Sequence, residues 1–479
     1  MTRLHTSALA LLFAMAPAYA QDQAAPPSVL SPQSMAEQTP AGQAPDTGAP
    51  AVDTPRTDVS APQTPAASAP APDASSRPTV KLDEPKVQKG KAAKTEAKQK
   101  KVREAAVSLD PEPSFQPGTA AATKSAADKY EAIAAAGGWP AIDGDVRPET
   151  TGAPVLALRQ RLALEGDLDR ESTDSDVFDD DLTLAIKSFQ LRVGLKPTGI
   201  VAGATLTAIN VPAAARARQL AASAARIENS KFGFEDRHVV VNIPSAAVEA
   251  VENGQVVRRY TAIVGDVEHQ SPQVSATIQE VNLNPTWTIP TSIIKNEIIP
   301  KMQKNPNYLS RAKIRILDGR GNEIDPRRID WKTQKAASYT LRQDPGQSNS
   351  LGFIRINMPN KEAVYLHDTP ARGKFDEDYR FLSHGCVRVE GVYQLAEWLL
   401  KGAKGPNGAW DEKAMRARVK TKERTDVKPA RQVPVIWVYL TGWASDEGTV
   451  HFRDDVYGLD RETPAPNEQA KAEPTRATQ

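Results

Sequence analysis

Leu382-Ser383-His384-Gly385-Cys386-Val387-Arg388-Val389 is the stretch on which this chain turns. Cys386 is the only cysteine in 479 residues, and two of the six histidines, His367 and His384, lie within twenty positions of it. A lone thiol near histidines is an activated nucleophile, part of a metal site, or a small core hydrophobe. Ser383, His384 and Arg388 are poor company for a core, and Gly385 lets the backbone approach a ligand closely. The nucleophile is the reading carried forward. Around it the periodicity is two: Gly352–Asn357 and Ala363–His367 read as strands flanking Pro359-Asn360.

The N-terminus sets the expected compartment. Arg3 and His5 begin a weakly basic start, Ala8–Ala16 is apolar, and Ala18-Tyr19-Ala20 is a small-x-small site, the layout of a signal peptide over residues 1–20. The apolar run falls well short of the roughly 20 residues a spanning helix needs. The mature chain is therefore expected to be exported, with no integral membrane segment after signal cleavage. One cysteine excludes an intramolecular disulfide. A formal net charge of +1 gives no reason to expect nucleic acid as a partner.

Residues 21–128 are expected to be a disordered tether. Twelve prolines fall between Pro26 and Pro78, and no aromatic occurs from Gln21 to Ser114. Such a stretch cannot bury enough apolar area to offset its ordering entropy. Nine Lys/Arg against four Asp/Glu between Lys81 and Glu104 make part of it a solvated basic linker.

Order is expected from near Ala127, with a short helix over Tyr130–Ala136 ended by Gly137-Gly138. A small three-helix unit follows: Val155, Leu158, Leu162 and Leu164 mark one helix ended by Gly166. Leu182, Ile186 and Phe189 mark a second, and Ala204–Ile209 is a third. Pro212–Ser230 reads as a connecting helix. From Arg237 the alternation is that of strands, with Glu252-Asn253-Gly254-Gln255 as a hairpin turn and Val256–Val264 behind it. Thr277–Leu283 is expected as one strand. Ser292 is expected to cap a helix that Pro300 kinks. Residues 305–348 are too long and polar for a simple connection and read as a lid or capping insertion. Val392, Leu395, Ala396 and Leu399 mark an amphipathic helix. Val433–Thr441 is a dense strand, with Thr449–Phe452 expected to pair with it. The fold class is α+β: a mostly-β, sandwich-like domain over 237–460 with helices and a lid. Beside it stand a bundle within 129–211, a connecting helix over 212–236 and a disordered tail over 461–479.

A thiol at its ordinary pKa of about 8.5 is only a few per cent ionised near neutrality and needs a base within reach. His384, two residues away, and His367, separated from Ser383 by fifteen, could each serve. Spacing alone leaves the choice open.

His367, fifteen residues, then Ser383-His384-Gly385-Cys386 resembles the signature of L,D-transpeptidase (YkuD-type) catalytic domains, in the long periplasmic subgroup. Val264-Gly265, Asn284-Pro285-x-Trp287, Pro345-Gly346, Leu351-Gly352 and Tyr365-Leu366-His367-Asp368-Thr369-Pro370 belong to the same resemblance. Phe189-Gln190, Gly194-Leu195, Gly199 and Thr205 resemble the peptidoglycan-binding domain of bacterial wall enzymes. The resemblance implies Cys386 as nucleophile, His367 as its base, and the Asp368 backbone carbonyl as orienter of that ring. It implies backbone N–H groups around His384, Gly385 and Cys386 as the oxyanion site. Arg388, Ser383, Tyr365 and Trp287 would contact substrate, although many members carry Asn where Arg388 stands. The implied reaction passes an acyl group from one peptidoglycan stem peptide to an amine on another, making a 3→3 crosslink in the periplasm without a cofactor. The alternatives are a zinc site on Cys386, His384 and His367, a hydrolase or protein-to-wall linking enzyme of the same fold, and a non-catalytic wall-binding protein.

Overall fold

The computed structural model describes residues 103–461. The expected signal peptide over 1–20, the tether up to residue 102 and the tail from 462 lie outside them. The described chain is α+β, with one large curled sheet, a small capping sheet and a helical bundle.

The alternation from Arg237 builds a meander. Arg237–Asn242, Ala247–Glu252 and Gln255–Gly265 pair antiparallel in succession. The second turn uses Asn253 at φ 54° and Gly254 at φ 75°. Two consecutive left-handed residues give the turn whose twist matches that of the flanking strands. Val433–Val438 joins in parallel beside Arg237–Asn242. Val435 and Trp437 enter the main core, while Ile436 and Val438 enter a second core with Phe115, Phe232 and Trp443. Burial on both faces explains why that strand is dense in apolar residues rather than alternating.

Gln255–Gly265 joins the two halves of the sheet. Its first part pairs with Ala247–Glu252, its last part with Val387–Val389 and Phe381–Ser383. The order then runs through Leu366–His367, Ile354–Asn357 and Glu280–Leu283 to Thr425–Val427. The single strand expected over 277–283 is two: Val274–Ile278 pairs with Val433–Val438 at one edge, and Glu280–Leu283 pairs with Ile354–Asn357 in the other half. The curl of the sheet lets one short segment serve both halves. Val450–Phe452 does not pair with Val433–Val438 as expected, but with Gly442–Ala444 in a two-stranded ribbon. Ser223 Oγ accepts the N–H groups of Thr441 and Gly442, drawing the chain out of the sheet toward the helix Ala213–Ile227.

The capping unit has its own core and begins at Trp287 rather than at 305. Trp287–Thr288, Thr340–Gln343, Ile314–Leu317 and Glu323–Ile324 form its sheet, and Ile294, Ile298, Met302, Leu309, Ile316 and Leu341 fill its interior. Ser292 lies inside the helix Thr291–Ile293, and Pro290 precedes it without a side-chain cap. Pro300 lacks an N–H and crowds the carbonyl four residues back. The helix accommodates it through a π-turn at Ile294–Ile298 before resuming at Ile299–Lys304.

Ala153–Glu165, Asp180–Arg192 and Gly203–Ile209 form the small bundle. Leu168, not Leu164, joins Val155, Leu158, Leu162, Leu182, Ile186 and Phe189 in its core. A buried ion cluster ties the bundle to its neighbours. Glu165 pairs with Arg161 at 2.6 Å and Arg192 at 2.5 Å and accepts the Tyr130 hydroxyl at 2.8 Å. Arg192 also donates to the Val450 carbonyl at 3.2 Å.

Order begins well before Ala127. A helix spans Thr119–Ala135, and residues 103–118 are anchored from a distance. Arg259 donates to the carbonyls of Ser108, Asp110 and Glu112 and pairs with Glu249, which accepts the Ser114 N–H. Among the described residues no helix is long and apolar enough to cross a membrane.

Candidate active site

The register of three short strands assembles the site. Leu366–His367 and Val387–Val389 are parallel, with Leu366 opposite Val387 and His367 opposite Arg388. Side chains alternate across a sheet, so Leu366 and Val387 share one face, while Tyr365, His367, Cys386 and Arg388 share the other. Leu366 and Val387 are fully buried in the main core. Burying each contributes about 1.5–3 kcal/mol, which locks the polar four onto the opposite face; a one-residue slip would invert the site. Cys386 and His367 are thereby diagonal neighbours on one face of the sheet.

His367 is buried and its Nδ1 lies 2.5 Å from the Asp368 carbonyl oxygen. A carbonyl only accepts, so Nδ1 carries the hydrogen, and Nε2 of the neutral ring is the free base. Burial, helped by the charges of Arg388 and Arg355, pushes its pKa down to about 3, against the Asp368 hydrogen bond. Burial pushes the Cys386 thiol up, opposed by hydrogen bonding to Tyr365 and by the charges of Arg355 and Arg388. Both shifts favour a neutral thiol beside a neutral imidazole rather than a standing ion pair.

The loop carrying the thiol is fixed from below. Ser383 Oγ donates to the Cys386 carbonyl at 2.5 Å and accepts the Gly385 N–H at 3.2 Å. Ser271 Oγ donates to the Gly385 carbonyl at 2.7 Å, and Gly385 sits at φ 103°, a conformation that suits glycine. With the Gly385 N–H engaged by Ser383, the neighbouring N–H groups of this loop are those of His384 and Cys386. Neither is in a hydrogen bond among the described residues. Asp368 is held in turn: its side chain accepts the Phe353 N–H at 3.0 Å and pairs with Arg372 at 2.9 Å.

A cavity of about 200 Å³ opens over the thiol, lined by Cys386, His367, His384, Arg388, Ser383, Tyr365 and Trp287, with Glu297 and Tyr308 from the capping unit. Gly385 and Asp368 do not line it. His384, the nearer histidine in sequence, points to a different partner: its Nε2 lies 2.9 Å from Glu297 Oε1, and its ring lies tilted at 44° with its centre 4.6 Å from that of His269. Arg388 makes no ion pair among the described residues, which leaves its charge facing the cavity. A larger groove of about 730 Å³ between Thr119–Ala135 and Ala213–Ile227 is lined mainly by alanines, with Lys124, Asp128, Glu131, Arg218 and Glu228 around them, and contains neither a cysteine nor a histidine. Sequence reasoning missed Glu297, Arg355 and Ser271. Each lies in a separate segment, and no spacing within the motif points to them.

Residues 236–407 match the family described as L,D-transpeptidase catalytic domain, and residues 151–209 match "Putative peptidoglycan binding domain". A Haemophilus influenzae protein named "Putative L,D-transpeptidase" is 37% identical over 225 residues, which is 47% of this chain and 45% of that relative. The match therefore spans about half the length of that relative. Among solved structures, an L,D-transpeptidase from Xylanimonas cellulosilytica aligns at 16% identity and TM-score 0.21, covering 62% of this chain and 99% of that one. An L,D-transpeptidase from Mycobacterium smegmatis aligns at 14% identity and TM-score 0.20, over 42% and 58%.

Proposed function

We propose, for a chain that carries an L,D-transpeptidase catalytic domain and a peptidoglycan-binding domain, that it forms 3→3 crosslinks between stem peptides outside the cytoplasm through a thioester on Cys386. In the first half-reaction the sulfur attacks the carbonyl before the terminal D-alanine of a donor stem. The C–S bond forms and the C–N bond breaks; His367 Nε2 takes the thiol proton and delivers it to the departing amine. In the second, an amine of another stem attacks the thioester, the C–S bond breaks, and the proton from the amine passes through His367 back to sulfur. No redox change occurs, and the bond energy is conserved from one amide to the next.

The observation that carries this reading is the register that sets His367, anchored through Nδ1 on the Asp368 carbonyl, diagonal to Cys386. The tetrahedral oxyanion would be held by the N–H groups of His384 and Cys386. Arg388 and Tyr365 would contact the donor, Trp287 would form the wall of the cavity, and Glu297 would hold the capping unit down on His384. The paired neutral groups suit a thiol that ionises only as it attacks.

Incubation with a carbapenem tests the reading directly. The expected result is a single mass adduct that maps to Cys386 and disappears in Cys386→Ala, together with loss of 3→3 dimers from digested sacculi. Retained crosslinking in Cys386→Ala would sink the proposal. Stoichiometric zinc in active protein would overturn the thiol mechanism.

A further inference from the structure

Beside the thiol cavity lies a second cleft, of about 290 Å³, whose lining includes Arg342, Arg355 and Arg424 and no acidic residue. Trp287, Leu351 and Tyr365 line both spaces and form the wall between them. Resting on the transpeptidase reading, we infer that this cleft is the acceptor subsite and that it recognises a carboxylate next to the amine that attacks the thioester.

The arginines reach the cleft from three elements. Arg355, on Ile354–Asn357, lies directly opposite His367 in the sheet. Its guanidinium carbon sits 4.5 Å from the centre of the Tyr365 ring, and one nitrogen donates to Asn357 at 2.6 Å. Its Nε is buried without a partner. Arg342 comes from the capping sheet and makes no ion pair among the described residues. Arg424 is held in a fork by Asp426, at 3.1 and 2.9 Å, and Asp426 also accepts from Asn282 at 2.7 Å. One carboxylate set against three guanidinium groups leaves the cleft with surplus positive charge. A planar carboxylate matches that donor geometry.

Position decides which stem it takes. The thiol cavity has its own cation, Arg388, for the donor, whereas the cleft opens on the far side of the Tyr365 wall. A carboxylate seated on Arg342 and Arg424 would leave its neighbouring amine to reach the thioester past Tyr365. The same positive field disfavours a protonated amine, so it delivers the nucleophile in its uncharged, reactive form. The amine then forms the C–N bond, the C–S bond breaks, and the proton goes to His367.

The full chain carrying Arg342→Gln and Arg424→Gln tests this. Acylation of Cys386 by a carbapenem should be unchanged. KM for a stem-peptide acceptor with a free carboxylate beside its amine should rise about tenfold or more, the loss expected for charge-assisted hydrogen bonds. The same acceptor with that carboxylate amidated should be used poorly and equally by both proteins. An unchanged KM for the acidic acceptor overturns the inference, as does wild-type protein that uses the amidated acceptor equally well. If no acylation occurs in either protein, the thiol reading has failed, and the cleft is judged by binding alone. Acidic acceptor peptide titrated into Cys386→Ala protein should then bind more weakly when the two arginines are also replaced; equal binding overturns the subsite.

Discussion

Replacing His367 with asparagine removes the proposed base while keeping a donor for the Asp368 carbonyl. The structure makes the expected effect specific in both size and pH. With a pKa pushed down to about 3, roughly one imidazole in ten thousand is protonated at pH 7, so the wild-type ring is available as a base throughout the neutral range. The thiol beside it is pushed up by burial, so it does not attack as a standing thiolate. Loss of general-base catalysis therefore costs about 100- to 10,000-fold in acylation, a barrier increase of about 3–5 kcal/mol. The assay is the rate of carbapenem adduct formation on Cys386, followed by mass spectrometry or stopped flow from pH 5 to 9. The wild-type rate should hold level from pH 7 down to about pH 5, with no bend near the ordinary histidine value of about 6.5. The variant should recover activity only at alkaline pH, above the ordinary thiol range. A loss smaller than about fivefold at pH 7, against that general-base scale, would refute the pairing of His367 with Cys386. So would a wild-type inflection near 6.5.

Three further outcomes follow from the same structure. Gly352→Ala should slow acylation and lower stability by about 1–3 kcal/mol, because a Cβ at φ +59° would lie 2.5 Å from the Asp368 side chain and tilt the carbonyl that holds His367; normal acylation and normal urea unfolding would count against that role. Glu165→Gln should cost about 3–5 kcal/mol in urea unfolding by leaving Arg161 and Arg192 buried without their shared carboxylate, and a loss under about 1 kcal/mol would show the cluster to be solvated instead. Burial holds the pKa values of His238, His367 and His451 below the ordinary value in the folded protein, so the unfolded chain takes up protons first. Stability should be intact above about pH 6.5 and fall as the solution is acidified, with His367 alone contributing about 1.4 kcal/mol per pH unit between about 6.5 and its folded value of about 3. An equal or higher urea midpoint at pH 5.0 than at pH 7.5 would contradict it.

The sequence by itself determined the local parts, because local parts depend on neighbours in the chain. Alternation from Arg237, the Asn253-Gly254 turn, the bundle helices and the Gly166 helix end all follow from backbone propensity and side-chain period. It also singled out His367 and Cys386 as candidates, since a lone thiol among polar residues is chemically conspicuous. What it could not decide was anything held by partners distant along the chain. Residues 103–118 have the composition of a tether, yet Arg259 and Glu249 give their backbone the hydrogen bonds that composition alone denies them. Thr277–Leu283 looks continuous, but the curl of the sheet divides it between two halves. The capping unit starts at Trp287 because that strand pairs with Thr340–Gln343, beyond the range of local pattern. His384 and His367 are equivalent by spacing. Only the parallel pairing of Leu366–His367 with Val387–Val389 sets them apart, turning one histidine toward the thiol's face and leaving the other to Glu297. Pairing register is a tertiary property, fixed by which side chains the core will bury, and it decided the geometry of the site.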